Sequence, residues 1–265
     1  MDIFDINTLF GAYPSVHKPS TPESLVGSLA KQGITRAMAL STVGVFYHDM
    51  TGNQETQVAC QTHKETLIPV GTINPLSYWE DDLTLSALAQ QFTMFRFFPG
   101  LQGWPIDFAP FGQILRVLSE AGKPLLDRSI TLPRPTRGWR LWTDSGVPLL
   151  VSVDKPGDAT QLMRMASDYP APVVMVGVTT DTLIEAMIVM RSREQFVLET
   201  HALTAPDGLA RIRDAVGANR IAFGSGGSAL SISAAVSYVN KSTLSDADKE
   251  SVFAGTAASL VQGGR

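Results

Sequence analysis

The chain of 265 residues predicts an α/β fold, a single-domain (β/α)8 TIM barrel over residues 1–265. Short apolar runs alternate with longer helical patterns from one end to the other. Most of these runs show little period-two alternation, which is how strands covered on both faces read. Eight strand–helix repeats in about this length is the arithmetic of such a barrel. A doubly wound open sheet is fed by the same alternation and is the rival architecture.

The strand segments, in order, are DIFDIN (2–7), TRAMALS (35–41), LIPVGTI (67–73), FTMFRFF (92–98), VPLLVSV (147–153), PVVMVGVT (172–179), FVLETH (196–201) and RIAFGS (220–225). Helical patterns lie between them at 22–33, 53–65, 82–91, 108–122, 158–169, 181–192 and 205–217. Thr21-Pro22-Glu23 and Pro206-Asp207 are helix openings, and Gly33, Gly122 and Gly217 are closures. The stretch Lys123 to Gly146 begins like a strand, then turns polar and Pro-rich, and reads as an excursion inserted after the fourth unit. The segment 181–192 leaves little polar face, whereas an outer barrel helix needs only one apolar stripe. It is either deeply covered or a surface where subunits of a homo-oligomer meet.

Hydrophobic residues make up 44% and charged residues 17%, with a net charge of -4. That balance excludes a disordered chain and offers no electrostatic reason to bind nucleic acid or an anionic membrane. The densest basic group, Arg134, Arg137 and Arg140, is broken by Pro135 and Trp139 and reads as a solvated face. The single cysteine, Cys60, allows no internal disulfide and reads as a buried, inert thiol, which suits a reducing cytoplasm. The start MDIFDINTLF lacks a secretory pattern, and no run approaches the length of a membrane span. The expectation is a cytoplasmic protein.

Several segments, in order, resemble the amidohydrolase-related family of metal-dependent hydrolase barrels. IFDINTLFG is similar to that family's Asp-x-His-x-His opening strand, GTINP to its third-strand segment and FRFFPG to its fourth. GVPLLVS and YPAPVVMVGV correspond to the fifth and sixth strands, which there end in histidine. VGANRIAFGSGGS resembles the eighth-strand signature that ends Phe-Gly-Ser-Asp, and FAGTAASL the terminal helix. The resemblance runs from Ile3 to Leu260. It implies a (β/α)8 barrel with its site at the carboxyl ends of the strands, and a hydrolase of C–N or C–O bonds or a non-oxidative decarboxylase.

The metal ligands that the resemblance implies are missing. The two first-strand histidines become Asn7 and Leu9, the fifth falls at Ser152, the sixth at Gly177 or Val178, and the eighth-strand aspartate becomes Gly226. Catalytic zinc needs three protein ligands drawn from Cys, His and carboxylate, so no metal or other cofactor is expected. A divalent ion held by Asp5, Asn7, Glu199 and His201 is the alternative.

The strand ends then present Asp5, Asn7, Arg96, Ser152, Asp154, Thr179, Glu199, His201 and Ser225. Glu199 and His201, two apart on a strand, share a face and form a candidate acid/base pair, with Asp5 as a third catalytic candidate. The opposing reading joins Glu199 to Arg96 in an ion pair. Arg96 is a candidate anchor for an anionic substrate, and Asn7, Ser152 and Ser225 are candidate substrate-binding groups. GSGGS (224–228) reads as a tight turn, with phosphate binding as its alternative. His48 is a surface or lid residue, His17 and His63 face solvent, and Trp104, Trp139 and Trp142 either roof the pocket or fill the core. The function expected is a hydrolase or decarboxylase of a small, anionic substrate with a dismantled metal site. The alternative is a non-catalytic barrel that binds a small metabolite or a phosphate-bearing ligand.

Overall fold

All eight apolar runs become strands; seven are shorter than their signal, while the first runs on through Asn7 and Thr8 to Phe10. The computed structural model describes residues 1–14, 20–79, 81–121, 146–227 and 229–262. The strands are β1 (Phe4–Phe10), β2 (Arg36–Ser41), β3 (Leu67–Gly71), β4 (Met94–Phe97), β5 (Leu149–Ser152), β6 (Val173–Val176), β7 (Phe196–Glu199) and β8 (Ile221–Ala222). They form one sheet in sequence order, and every ladder is parallel. The sheet closes on itself. Ile6 N donates to Phe223 O at 3.0 Å, Gly226 N to Asn7 O at 3.0 Å, and Leu9 N to Gly227 O at 2.6 Å. The fold is therefore the (β/α)8 barrel and not the open sheet.

The continuous apolar runs follow from the barrel's two buried faces. Within β4–β8, Met94, Leu150, Val174, Val176, Val197 and Ala222 fall in one apolar cluster. Their alternate neighbours Phe95, Phe97, Leu149, Val151, Phe196 and Leu198 fall in another, together with the helix residues Phe111, Leu162 and Ile212. Successive strand residues point to opposite faces, so the first set fills the barrel and the second seats the surrounding helices. Continuing the first set to the strand ends gives Arg96, Ser152, Asp154, Glu199 and His201.

The expected helices occur with shifted ends. The second starts at Asp49 because His48 caps it, its Nδ1 accepting from Thr51 N at 3.3 Å. Thr21 caps the first helix, accepting from Ser24 N at 3.2 Å, with Pro22 in its first turn. Helices at Thr42–Phe46, Ile232–Asn240 and Asp246–Glu250 were not legible from apolar spacing; the first and third span five residues each. Arg220, part of the eighth-strand signature, is structural: its guanidinium donates to the carbonyls of Phe196, Met190 and Arg193. The Lys123–Gly146 excursion, with Arg134, Arg137, Arg140, Trp139 and Trp142, lies outside the described residues except for Gly146.

Helix Leu183–Ser192 corrects one expectation. It buries Leu183, Ala186, Val189 and Met190 but leaves Ile184 74% and Ile188 55% exposed, so it is not deeply covered. Among the described residues no helix is long and apolar enough to cross a membrane.

Cys60 is buried, and burial pushes its thiol up to about 12. The native protein is expected to react negligibly with dithionitrobenzoate at pH 8 and fully in urea. Rapid native labelling would contradict this placement.

Candidate active site

Glu199 ends β7 with no solvent exposure, and the chain turns so that its carboxylate reaches forward to His201. Oε1 accepts from the His201 backbone N–H at 2.7 Å, and Oε2 meets the ring at Nδ1 in a short hydrogen bond. The predicted acid/base pair is thus in contact. The opposing ion pair does not form, since no carboxylate among the described residues lies within 4.0 Å of the Arg96 guanidinium. Burial alone lowers the His201 pKa, but the adjacent Glu199 charge and hydrogen bond outweigh it and hold the imidazolium above the usual range. Nε2 makes no hydrogen bond within the described residues and is the ring's free nitrogen.

Asp5 and Asn7 enter the same space from β1. Asp5 Oδ1 accepts from Asn7 N at 2.9 Å and from Ser225 N at 3.1 Å, tying the first strand to the end of the eighth. Desolvation raises its pKa to about 7, against the hydrogen bonds from Ser225 and Asn7. The Asn7 amide lies 3.0 Å from His201 Nδ1. An Nδ1 that donates to Glu199 cannot also accept from an amide. Turning the amide over brings its oxygen, otherwise without a partner, against that hydrogen.

Arg96 projects from β4 and is 7% exposed. Its guanidinium lies over the Phe98 ring, 4.6 Å from the centroid, and Nε has no hydrogen-bond partner. Desolvation lowers its pKa to about 10, opposed by the charges of Glu199, Asp5 and Asp154. A buried guanidinium without a paired anion is costly, and Arg96 Nε and Asp5 Oδ2 are both buried and unpaired. Unsatisfied buried groups of this kind make the barrel mouth the candidate ligand site.

The glycines of GSGGS account for the shape of this site. A Cβ at Gly224 would land on the Glu199 carboxylate, 2.5 Å from its Cδ. A Cβ at Gly226 would stand 3.1 Å from Cδ2 and 3.4 Å from Cγ of His201, and its φ of +65° already favours glycine. A side chain at position 226 would crowd both the imidazole and Leu230, whose Cδ1 a Cβ there would approach to 3.0 Å. Gly224 and Gly226, two apart after β8, are the mould for Glu199 and His201, two apart at the end of β7.

These residues do not fit the metal centre that the resemblance implies. Leu9 packs in the apolar cluster with Phe4, Ile6 and Met38. Gly177 and Gly226 have no side-chain donor, and His201 commits Nδ1 to Glu199. Among the described residues no three His, Cys, Asp or Glu side chains are grouped to hold an ion.

The other candidates distribute as follows. Ser152 ends β5 and is 7% exposed. Ser225 is fully enclosed, its hydroxyl accepting from Gly227 N at 3.0 Å and its backbone N–H spent on Asp5. The amides of 225, 226 and 227 are thus all engaged, which removes the phosphate alternative for this part of the turn; Ser228 lies outside the described residues. Thr179 turns away to bond with Thr182. His48 is an exposed helix cap, and His63, expected in solvent, is half-buried 3.6 Å from Glu23; His17 lies outside the described residues. Trp104 is core, its ring 5.0 Å from that of Phe111. Phe98 beneath Arg96 and the moulding role of Gly224 went unread, although the matched Glu-x-His and Gly-x-Gly spacings on adjacent strands were a visible signal.

No family model matches the chain, and no curated protein matches it by sequence. Solved structures do match over almost the full length. A 5-carboxyvanillate decarboxylase from Novosphingobium aromaticivorans, complexed with manganese and 4-hydroxy-3-methoxy-5-nitrobenzoic acid, aligns with a TM-score of 0.69 at 11% identity, covering 98% of this chain and 96% of that one. A 2,6-dihydroxybenzoate decarboxylase from Rhizobium gives 0.65 at 11% identity, covering 98% of each chain. A probable 2-pyrone-4,6-dicarboxylic acid hydrolase from Acinetobacter baumannii, with citric acid bound, gives 0.68 at 12%, covering 99% and 100%. The chain has the barrel fold of these decarboxylases and hydrolases, the fold that the family resemblance implied.

Proposed function

We propose that the barrel mouth carries out acid–base chemistry on a small carboxylic acid, as a hydrolase of a C–N or C–O bond or as a non-oxidative decarboxylase, without a metal. The observation that carries this reading is the His201 imidazole, held through Nδ1 by buried Glu199 with Nε2 free, in the same mouth as the unpaired Arg96. Arg96 anchors the substrate carboxylate by paired N–H donors. In hydrolysis, Nε2 takes a proton from water as the oxygen attacks the acyl carbon, then returns it to the departing nitrogen or oxygen. In decarboxylation, the imidazolium gives its proton to the carbon that loses CO2. Glu199 fixes the ring and stabilises its charged form, while Asp5 orders Asn7 and the end of β8. Ser152 lines the wall.

The acids named for the structural neighbours are the first substrates to try: 5-carboxyvanillate, 2,6-dihydroxybenzoate and 2-pyrone-4,6-dicarboxylic acid. With a substrate in hand, Glu199→Gln and His201→Asn are each expected to lower kcat about a hundredfold or more, and Arg96→Met to act on KM. Turnover left unchanged by both Glu199→Gln and His201→Asn would remove the pair from the mechanism. Elemental analysis of protein purified without chelators is expected to find no stoichiometric zinc or manganese; one equivalent of either would overturn the metal-independent reading.

A further inference from the structure

Asp154 stands two residues beyond Ser152 on the face of β5 that looks into the barrel mouth. Its carboxylate has a prepared seat. A Cβ at Gly100 would land on Oδ2, 3.3 Å from Cγ, and a Cβ at Gly177 would stand 3.2 Å from Oδ1. Gly100 follows β4 and the Arg96 segment, and Gly177 follows β6, with a φ of +86°. Two flanking strand ends have thus given up side chains around one carboxylate. The backbone there is tied down as well: the amides of Asp154 and Lys155 both donate to Asp158 Oδ2, at 3.0 and 3.1 Å.

The carboxylate itself makes no hydrogen bond or ion pair among the described residues and faces solvent. Desolvation and the Asp158 charge raise its pKa, against the pull of His201 and Arg96, both of which lie within electrostatic reach. The mouth therefore offers a ligand an unpaired cation at Arg96 and, beside it, an unpaired acceptor at Asp154. A plain carboxylate satisfies the first and is repelled by the second. A carboxylate that also carries a hydroxyl or amino hydrogen satisfies both.

We infer that Asp154 is a specificity-determining residue, seated between Gly100 and Gly177 to select carboxylic acids that bear a hydrogen-bond donor on the same small scaffold. The inference rests on the reading that Arg96 receives a carboxylate.

The test is calorimetric titration of the full chain with benzoate and the three monohydroxybenzoates, using wild type, Asp154→Ala, Asp154→Asn and Arg96→Met. In wild type at least one hydroxybenzoate is expected to bind roughly tenfold tighter than benzoate. Asp154→Ala is expected to bring that ratio to near one while benzoate binds as well or better, and Asp154→Asn, which keeps an acceptor oxygen, to retain part of the preference. Arg96→Met is expected to weaken all four acids. If Arg96→Met weakens binding but the preference survives Asp154→Ala, the role of Asp154 is overturned and the carboxylate reading stands. If none of the acids binds wild type, or Arg96→Met changes nothing, both fall together.

Discussion

Alanine at position 224 is expected to cost the folded protein about 3 kcal/mol, the upper end for an overpacked core. The added methyl group would occupy the volume of the Glu199 carboxylate. That carboxylate is fully buried and holds both the His201 ring and the His201 backbone, so it cannot move aside without leaving charge unpaired. Urea denaturation of Gly224→Ala, Glu199→Ala and the double variant separates the causes. In the Glu199→Ala background the same methyl group is expected to cost less than about 1 kcal/mol, because the obstruction is gone. A Gly224→Ala protein as stable as wild type would contradict the mould.

Asparagine at position 5 is expected to make the protein more stable above neutral pH. The Asp5 carboxyl titrates near 7 in the folded chain against a reference of 3.8, so the folded state holds its proton more firmly than the unfolded state. Its favourable contribution is complete below about pH 4 and is lost as pH rises through 7. Above that, a charge is buried beside Glu199. The difference amounts to at most ~4 kcal/mol. Asparagine keeps an oxygen for the amides of Asn7 and Ser225 and carries no charge at any pH. Denaturation at pH 5 and pH 8 is expected to show wild type losing stability over that interval relative to Asp5→Asn. Parallel pH profiles for the two proteins would rule the titration out.

Most of the barrel was legible because burial on both faces leaves an unmistakable hydrophobic record. Runs such as VVMV of β6 and LLVS of β5 read correctly as covered strands, and the punctuation at Thr21-Pro22 marked a true helix start. Short helices such as Thr42–Phe46 escaped because five residues carry too little periodicity. Whether helix Leu183–Ser192 is covered or exposed was left open, because hydrophobicity records the tendency to be covered and not the cover itself. In the candidate site, the spacing of two brought Glu199 and His201 together as expected, although β7 ends at Glu199 and His201 lies in the turn that follows. What surrounds Gly226 was not legible. That depends on a ring from a different strand occupying the space, and a single sequence records no distances between strands. The seat of Asp154 was hidden for the same reason, because it is built from glycines 54 and 23 positions away in the chain.

The hydrogen bonds that join the first strand to the end of the eighth also bear on how the candidate site is assembled. They connect residues more than two hundred positions apart, contacts that a folding chain makes late because so much chain must be ordered first. Asp5, Asn7, Ser225 and Gly226 all lie along this suture. A population with the suture open would keep most of its helices and ladders and yet hold no assembled pocket. Hydrogen exchange at the amides of Ile6, Leu9 and Gly226 would report that open fraction directly.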